Sequence, residues 1–197
     1  LLTDAPATVE SSALGAHKAD TTDAHDASAI SVLDTAGRFA GSDVETVLAE
    51  LSRVWRVDAD PTGVTDARAA IQTAIDAASA AGGGTVYIPE GTYKVVTAVA
   101  GTVSIVPKSK VRILGAGVGR TILMAYGNAQ CFYNNTASSG SPIIDVEIGH
   151  LEIDGTNQSN GGVYVSSMKG IQINYCKRHY YHDLYVHHCG ATGVGSD

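Results

Sequence analysis

Charge is scarce in this chain, and basic charge scarcer still. Only 17% of its 197 residues are charged, where soluble domains carry about 25%. Lys and Arg number 13 against 20 Asp and Glu, a formal net charge of −7. Phosphate binding relies on grouped Lys and Arg, and no such group occurs, so a nucleic-acid surface is excluded. No apolar run approaches the roughly 18 residues that a membrane-spanning helix needs, so membrane insertion is not expected. Three cysteines, Cys131, Cys176 and Cys189, show no metal-type spacing. An odd number cannot all pair internally, and buried thiols are the expectation. The opening "LLTDAPATVESS" has neither a Met nor a signal-peptide pattern and reads as the start of a fragment.

What the chain does have is glycine, 22 residues of it, which favours turns and β structure over helical bundles. Residues 1 to about 28, rich in Ala, Thr, Asp and Ser, hold little to build a core and are expected to be extended or locally disordered unless a partner orders them. His17 and His25 lie in this stretch and read as surface residues. "ISVLDTAGRF" (30–39) carries a short strand pattern that breaks at Gly37. "GSDVETVLAELSRVW" (41–55) reads as a short helix capped by Ser42 or Asp43, with Val44, Val47, Leu48 and Leu51 on one face. A helix this short is marginal alone, so its stripe must be covered.

"VTDARAAIQTAIDAASAAGGG" (64–84) predicts a second helix at about 66–80. Thr65 is the expected N-cap, with Asp66 favourable at the positive helix end. Ala70, Ile71, Ala74, Ile75 and Ala78 form a narrow apolar face, and the glycines end the helix. "TVYIP" (85–89) and "GTYKV" (91–95) then read as strands. Short alternating runs follow at "VRILGAG" (111–117), "VEIGHLEIDG" (146–155), "GVYV" (162–165), "IQIN" (171–174) and "DLYVHHCGATGVG" (183–195). Leu151-x-Ile153 recurs as Leu184-x-Val186, 33 residues on, and Gly162-Val163 recurs as Gly193-Val194, 31 residues on. A repeat of that size fits one coil of a solenoid, whereas a sandwich would give short strands without it.

Residues 57 to 95 resemble the N-terminal segment of the pectate-lyase-like superfamily of right-handed β-helices, where "DGVTD…AIQAAIDAA…GGTVYIPPGTY" is a common pattern. "DPTG" (60–63) departs from the Gly-Asp-Gly turn of many relatives, which bears on the shape of that loop. The resemblance implies an all-β fold, a right-handed parallel β-helix. One amphipathic helix would plug the open end of its first coil, because exposed strand edges and apolar ends invite association. "TDAHDASAISVLDTAGRFAGSDVETVLAEL" (22–51) resembles a small module of bacteriophage tail and fibre proteins. Residues 1–53 are therefore expected to form a virion-attachment and oligomerisation segment. Residues 54–197 are expected to hold the cap and first coils of a β-helix that continues further.

On such a coil the apolar residues point inward and their neighbours outward. Placing Leu151 over Leu184 stacks Glu152 over Tyr185 and Asp154 over His187. Glu152, Asp154, Tyr185 and His187 are thus the expected substrate-binding patch, since carboxylates with an aromatic ring suit sugars. Paired carboxylates can also cleave glycosidic bonds, retaining at separations of about 5–5.5 Å or inverting at about 6.5–9.5 Å. A lyase would need a base near the sugar C5 proton, with a cation to help the neighbouring carboxylate. Outward polar residues that merely solvate the solenoid are the plain alternative.

"YCKRHYYHDLYVHHC" (175–189) packs four His and four Tyr into fifteen residues. It lacks a clean paired ligand spacing, and neighbours along a strand face opposite sides, so neither a metal nor any other cofactor is expected. "GAGVG" (115–119) looks superficially like a phosphate loop but is expected to be a turn, because strand rather than helix follows. "NNT" (134–136) matches a glycosylation acceptor with no meaning in a phage or bacterial protein. The resemblances together imply a phage tail-associated protein, tailspike-like or minor tail, in the virion. Host surface polysaccharide, other tail proteins and two further copies in a homotrimer are its expected partners. A secreted polysaccharide lyase, hydrolase or epimerase and a purely structural tail component are the alternatives.

Overall fold

The computed structural model describes Ser31, Leu33, Ala36, Gly37, residues 42–97, 104–134, Ser138, 140–158 and 164–196. The chain divides into two compact units, Leu1–Ser52 and Arg53–Asp197. Most of the tail-like stretch 22–51, with His17 and His25, lies outside the described residues. In the first unit Ser31 bridges Asp43 in antiparallel fashion, and helix α1 (Val44–Ser52) follows. Asp43 is its cap: Oδ1 accepts the Thr46 N–H at 2.9 Å. The expected stripe is split, for Val47 is buried while Leu48 and Leu51 are 57% and 62% exposed.

The second unit is mostly parallel β structure, wound as a right-handed β-helix of about four turns. Its strands are β1 (Val54–Arg56), β2 (Thr62–Asp66), β3 (Gly84–Ile88), β4 (Gly91–Thr97), β5 (Val111–Gly115), β6 (Thr121–Gly127), β7 (Phe132–Asn134), β8 (Ile143–Asp154), β9 (Ile171–Ile173), β10 (Cys176–His187) and β11 (Val194–Ser196). Three faces result. One stacks β1, β3, β5 and the first part of β8, and a second stacks β2, β4, β6 and the last part of β8. A third stacks β7, β9 and β11. Strand β10 lies along the whole of β8, from Cys176 opposite Ile143 to His187 opposite Asp154. The apolar column Val86, Ile113, Ile148 on the first face and Tyr93, Leu123, Ile153 on the second is almost fully buried.

Strands β8 and β10 serve two faces each because single residues turn the corner in left-handed conformation. His150 (φ 54°) and Asp183 (φ 46°) do so between faces, and Asp145 (φ 58°) and Arg178 (φ 55°) near the strand starts. Each pair is one coil apart, so the corners lie over one another. Asp and His tolerate this region better than most side chains.

Helix α2 (Arg68–Ala80) buries Ile71, Ala74, Ile75 and Ala78 against β1, β3, β4 and β5. This is the cap over the first coil. Gln72 fastens it, donating from Nε2 to the Val106 carbonyl at 3.2 Å and accepting the Val106 N–H at 2.7 Å. The helix starts two residues later than expected, and Thr65 does not cap it, being drawn into β2. Asp66 does the local work, its Oδ1 accepting the N–H of Arg68 at 3.1 Å and of Val96 at 3.0 Å. The "DPTG" loop is organised by Asp60, whose carboxylate accepts the N–H groups of Thr62 and Thr65 at 2.9 and 2.8 Å.

Other expectations need correction. Tyr164 and Val165 form no strand, and Gly162 and Val163 lie outside the described residues. Cys131 is buried as expected, but Cys176 and Cys189 are only half-buried: Cys176 opens β10 and Cys189 lies past its end. Burial pushes the Cys131 thiol up, which removes it as a nucleophile. Residues 115–119 close with a turn, where Thr121 N–H donates to the Gly117 carbonyl at 2.9 Å.

Candidate functional site

The outward faces of β8 and β10 form one continuous polar surface. Glu152 pairs with Tyr185 and Asp154 with His187 across adjacent coils, so the structure brings all four sequence-predicted residues together. Leu151 and Ile153 point inward and are fully buried, which turns Glu152 and Asp154 out. His187 Nε2 lies 3.0 Å from Glu152 Oε1. The Tyr185 ring stacks on His187 with centroids 4.4 Å apart and an interplanar angle of 24°.

Five residues back along both strands the arrangement repeats. His182 Nε2 lies 3.0 Å from Glu147 Oε1, and Tyr180 stacks on His182 at 4.6 Å and 23°. Sequence reasoning missed this second copy, although the Tyr-x-His spacing at 180–182 and 185–187 signals it. The offset between paired Glu and His is 35 residues in both cases.

The alternation of strand side chains is interrupted where it matters. Asp183 and His188 (φ 54°) are left-handed, so each projects beside the histidine that precedes it. Two groups of possible metal donors result, His150 with His182 and Asp183, and Asp154 with His187 and His188. In the first group His182 Nδ1 lies 3.0 Å from Asp183 Oδ2, and His150 Nδ1 lies 3.2 Å from the same oxygen. Asp183 and Glu147, one at each ring nitrogen, raise the His182 pKa above its ordinary value. Burial alone would raise the Asp154 carboxyl, but hydrogen bonds from Thr156 and the nearby His187 and His188 bring it below the usual range.

Beside the Tyr180–His182 pair lies a shallow cavity of about 350 Å³ lined by Lys110, Arg112, Asp145, Glu147, Arg178 and Tyr180. Arg112 holds Glu147 with two hydrogen bonds, at 2.7 and 3.1 Å. Arg178 holds Asp145 likewise, at 2.5 and 2.8 Å. Both carboxyls are kept below their ordinary range by these guanidinium contacts. Three cations face two carboxylates, so this wall carries net positive charge in a chain whose total is −7. No motif marks these residues in the sequence, since they come from three coils.

The family profile described as "Rhamnogalacturonase A/epimerase, pectate lyase-like" matches residues 53–157, the β-helix from its first strand onward. The chain belongs to this family. Among similar proteins, Mannuronan C5-epimerase AlgE4 of Azotobacter vinelandii is 40% identical over 103 residues. That match covers 51% of this chain and 19% of the relative. Alginate lyase 7 of the same organism is 42% identical over 101 residues, 50% of this chain and 12% of the lyase. The chain thus spans less than a fifth of each. Among solved structures, ORF18 of Geobacillus virus E2 superposes with a TM-score of 0.58 at 25% identity, covering 75% of this chain and 29% of that one.

Proposed function

We propose that this chain belongs to a bacteriophage tail-associated protein whose β-helix binds an acidic polysaccharide on the host surface. The observation that carries the reading is the wall of Lys110, Arg112 and Arg178, flanked by the exposed rings of Tyr180 and Tyr185. Cations offer charge and hydrogen bonds to sugar carboxylates, here from Lys110 and from guanidinium N–H groups other than those that Glu147 and Asp145 take. Tyrosine rings offer an apolar platform to a sugar face. Glu152, Asp154 and His187 supply acceptors and donors for hydroxyl groups on the same surface. The likeness to the virus E2 protein supports a viral origin, and the epimerase and lyase relatives support an acidic glycan.

Residues 1–53 take the role of virion attachment in this reading, with other tail proteins as partners. The exposed Leu48 and Leu51 of α1 support assembly as a parallel homotrimer, in which three copies cover each other's helices. The second reading is catalysis on the same glycan, favoured by the 40% identity to an epimerase; a secreted enzyme is its natural setting.

The test is titration of the full chain with polymannuronate and, separately, with a neutral dextran, read by calorimetry. Binding to the polyuronate alone, weakened by salt and by Arg178→Ala, is the expected result. Equal binding to both glycans, or none, overturns the reading. Chain shortening or C5 inversion of the polyuronate, followed by proton NMR, decides for the catalytic alternative.

A further inference from the structure

The two Glu–His pairs share a frame but end differently. In the Glu147–His182 pair, Nδ1 of the histidine meets Asp183 Oδ2 at 3.0 Å, an ordinary charge-assisted hydrogen bond. Each ring nitrogen of His182 thus has a carboxylate partner. In the Glu152–His187 pair the far nitrogen meets another nitrogen: His187 Nδ1 and His188 Nδ1 stand 2.5 Å apart. Asp154 Oδ1 lies 3.6 Å from the first and 3.8 Å from the second, beyond hydrogen-bond reach of both.

Glu152 is an acceptor at 3.0 Å from His187 Nε2, so that nitrogen donates and carries the proton. In the neutral ring Nδ1 then holds a bare lone pair. If His188 is also neutral, one N–H can lie between the nitrogens, while Asp154 Oδ1 takes its hydrogen bonds from the Thr156 N–H and hydroxyl at 2.9 and 2.5 Å and turns its charge toward both rings. A cation among the three atoms would draw on the lone pairs of both nitrogens and on the carboxylate charge together.

We propose that Asp154, His187 and His188 bind a first-row divalent metal ion of the zinc type. Two imidazole nitrogens and a carboxylate oxygen are a common donor set for such ions, and three protein ligands leave a coordination position open. Glu152 is the outer carboxylate that holds a metal-bound histidine in the right tautomer, an arrangement seen at most histidine-ligated sites. The fold supplies the positions. Asp154 and His187 are partners in register, His188 is brought alongside by its left-handed backbone, and Thr156 fixes the carboxylate through its N–H at 2.9 Å. The site is open on one side: the His188 side chain is 67% exposed, against 17% for His187 and 22% for Asp154. An ion enters from there, and its open position faces solvent.

The experiment uses the full chain, stripped with a chelator and titrated with Co²⁺ and Zn²⁺ in the absence of any glycan. The visible absorption of bound Co²⁺ reports the ligand field, and calorimetry with Zn²⁺ reports affinity and stoichiometry. One ion per chain is expected at this triad. Asp154→Asn and His188→Ala should each abolish the Co²⁺ band or weaken Zn²⁺ at least tenfold, and Glu152→Gln should weaken it by about tenfold or more. His150→Ala, which alters only the other donor group, should leave both signals unchanged. His188 is exposed enough that its loss does not threaten the fold, and circular dichroism confirms that each variant is intact. No uptake by the unaltered chain, or undiminished uptake by both Asp154→Asn and His188→Ala, overturns the proposal. It does not rest on the glycan reading, and because no glycan is present, its failure leaves that reading standing.

Discussion

Replacing Ile71 by Ala tests whether the single helix over the first coil is a structural plug. Ile71 is fully buried and packs in the central core with Ile75, Ala78 and Val86. Three carbon atoms are removed, which at about 0.8 kcal/mol per buried CH₂ gives roughly 2.4 kcal/mol of lost transfer free energy. The rigid end of a coil cannot collapse around the gap, so a cavity contribution adds to this, and a total of about 3–4 kcal/mol is expected. At about 2–4 °C per kcal/mol for a chain of this size, Tm should fall by roughly 6–16 °C. Ile71→Asp should be worse, because an unpaired charge is buried as well. The assay is thermal unfolding by far-UV circular dichroism, with exposed Thr73→Ala as the control. An Ile71→Ala protein within about 0.5 kcal/mol of the parent, the range of surface substitutions, would refute the plug.

Thr121→Val should cost about 1–3 kcal/mol in chemical denaturation, because the buried Oγ1 accepts the Ala116 N–H at 2.8 Å and faces the Pro89 carbonyl at 2.9 Å. Gly127→Ala should lower stability by at least about 2 kcal/mol, since a Cβ there would sit 2.0 Å from the Thr97 carbonyl oxygen at φ +98°; an unchanged denaturation midpoint would contradict this packing. The Asp60 carboxyl is held far below its ordinary value, first by the Thr62 hydroxyl and then by the Thr65 and Thr62 N–H groups. A depressed folded value means the contribution is present above the unfolded value of about 3.9 and is lost as pH falls through the folded one. Asp60→Asn should therefore flatten the acid side of the pH–stability profile, and an unaltered profile would count against the loop as described. Light scattering at micromolar concentration should give a trimer mass, which Leu48→Glu with Leu51→Glu should reduce to a monomer.

Much of this fold was legible because its signals are local. Alternation set the strands, the 33-residue recurrence of Leu-x-Ile as Leu-x-Val set the register of β10 on β8, and one apolar helical face identified the cap. What escaped depends on backbone sign. Asp and His only lean toward the left-handed region, too weakly to single out His150, Asp183 or His188, yet their conformation decides which side chains become neighbours. The Thr65 cap failed for a different reason, since the same residue was wanted by strand β2. The cationic wall was invisible because Arg178 is far along the chain from Lys110 and Arg112, and no motif links them.

The one-residue corners at His150 and Asp183 also govern how such a molecule can change over generations. An inserted or deleted residue there would swap inward and outward positions on the next face, since side chains alternate with a period of two. That would expel Leu151 and Ile153 from the core in a single step. The bends between β6 and β7 and between β9 and β10 impose no such phase on the sheet beyond them, because each opens a new strand. Length variation is therefore tolerated on one flank of the solenoid and forbidden on the other. Along the axis, only additions of whole turns preserve the stacking, so the polar surface lengthens in complete increments and keeps its spacing.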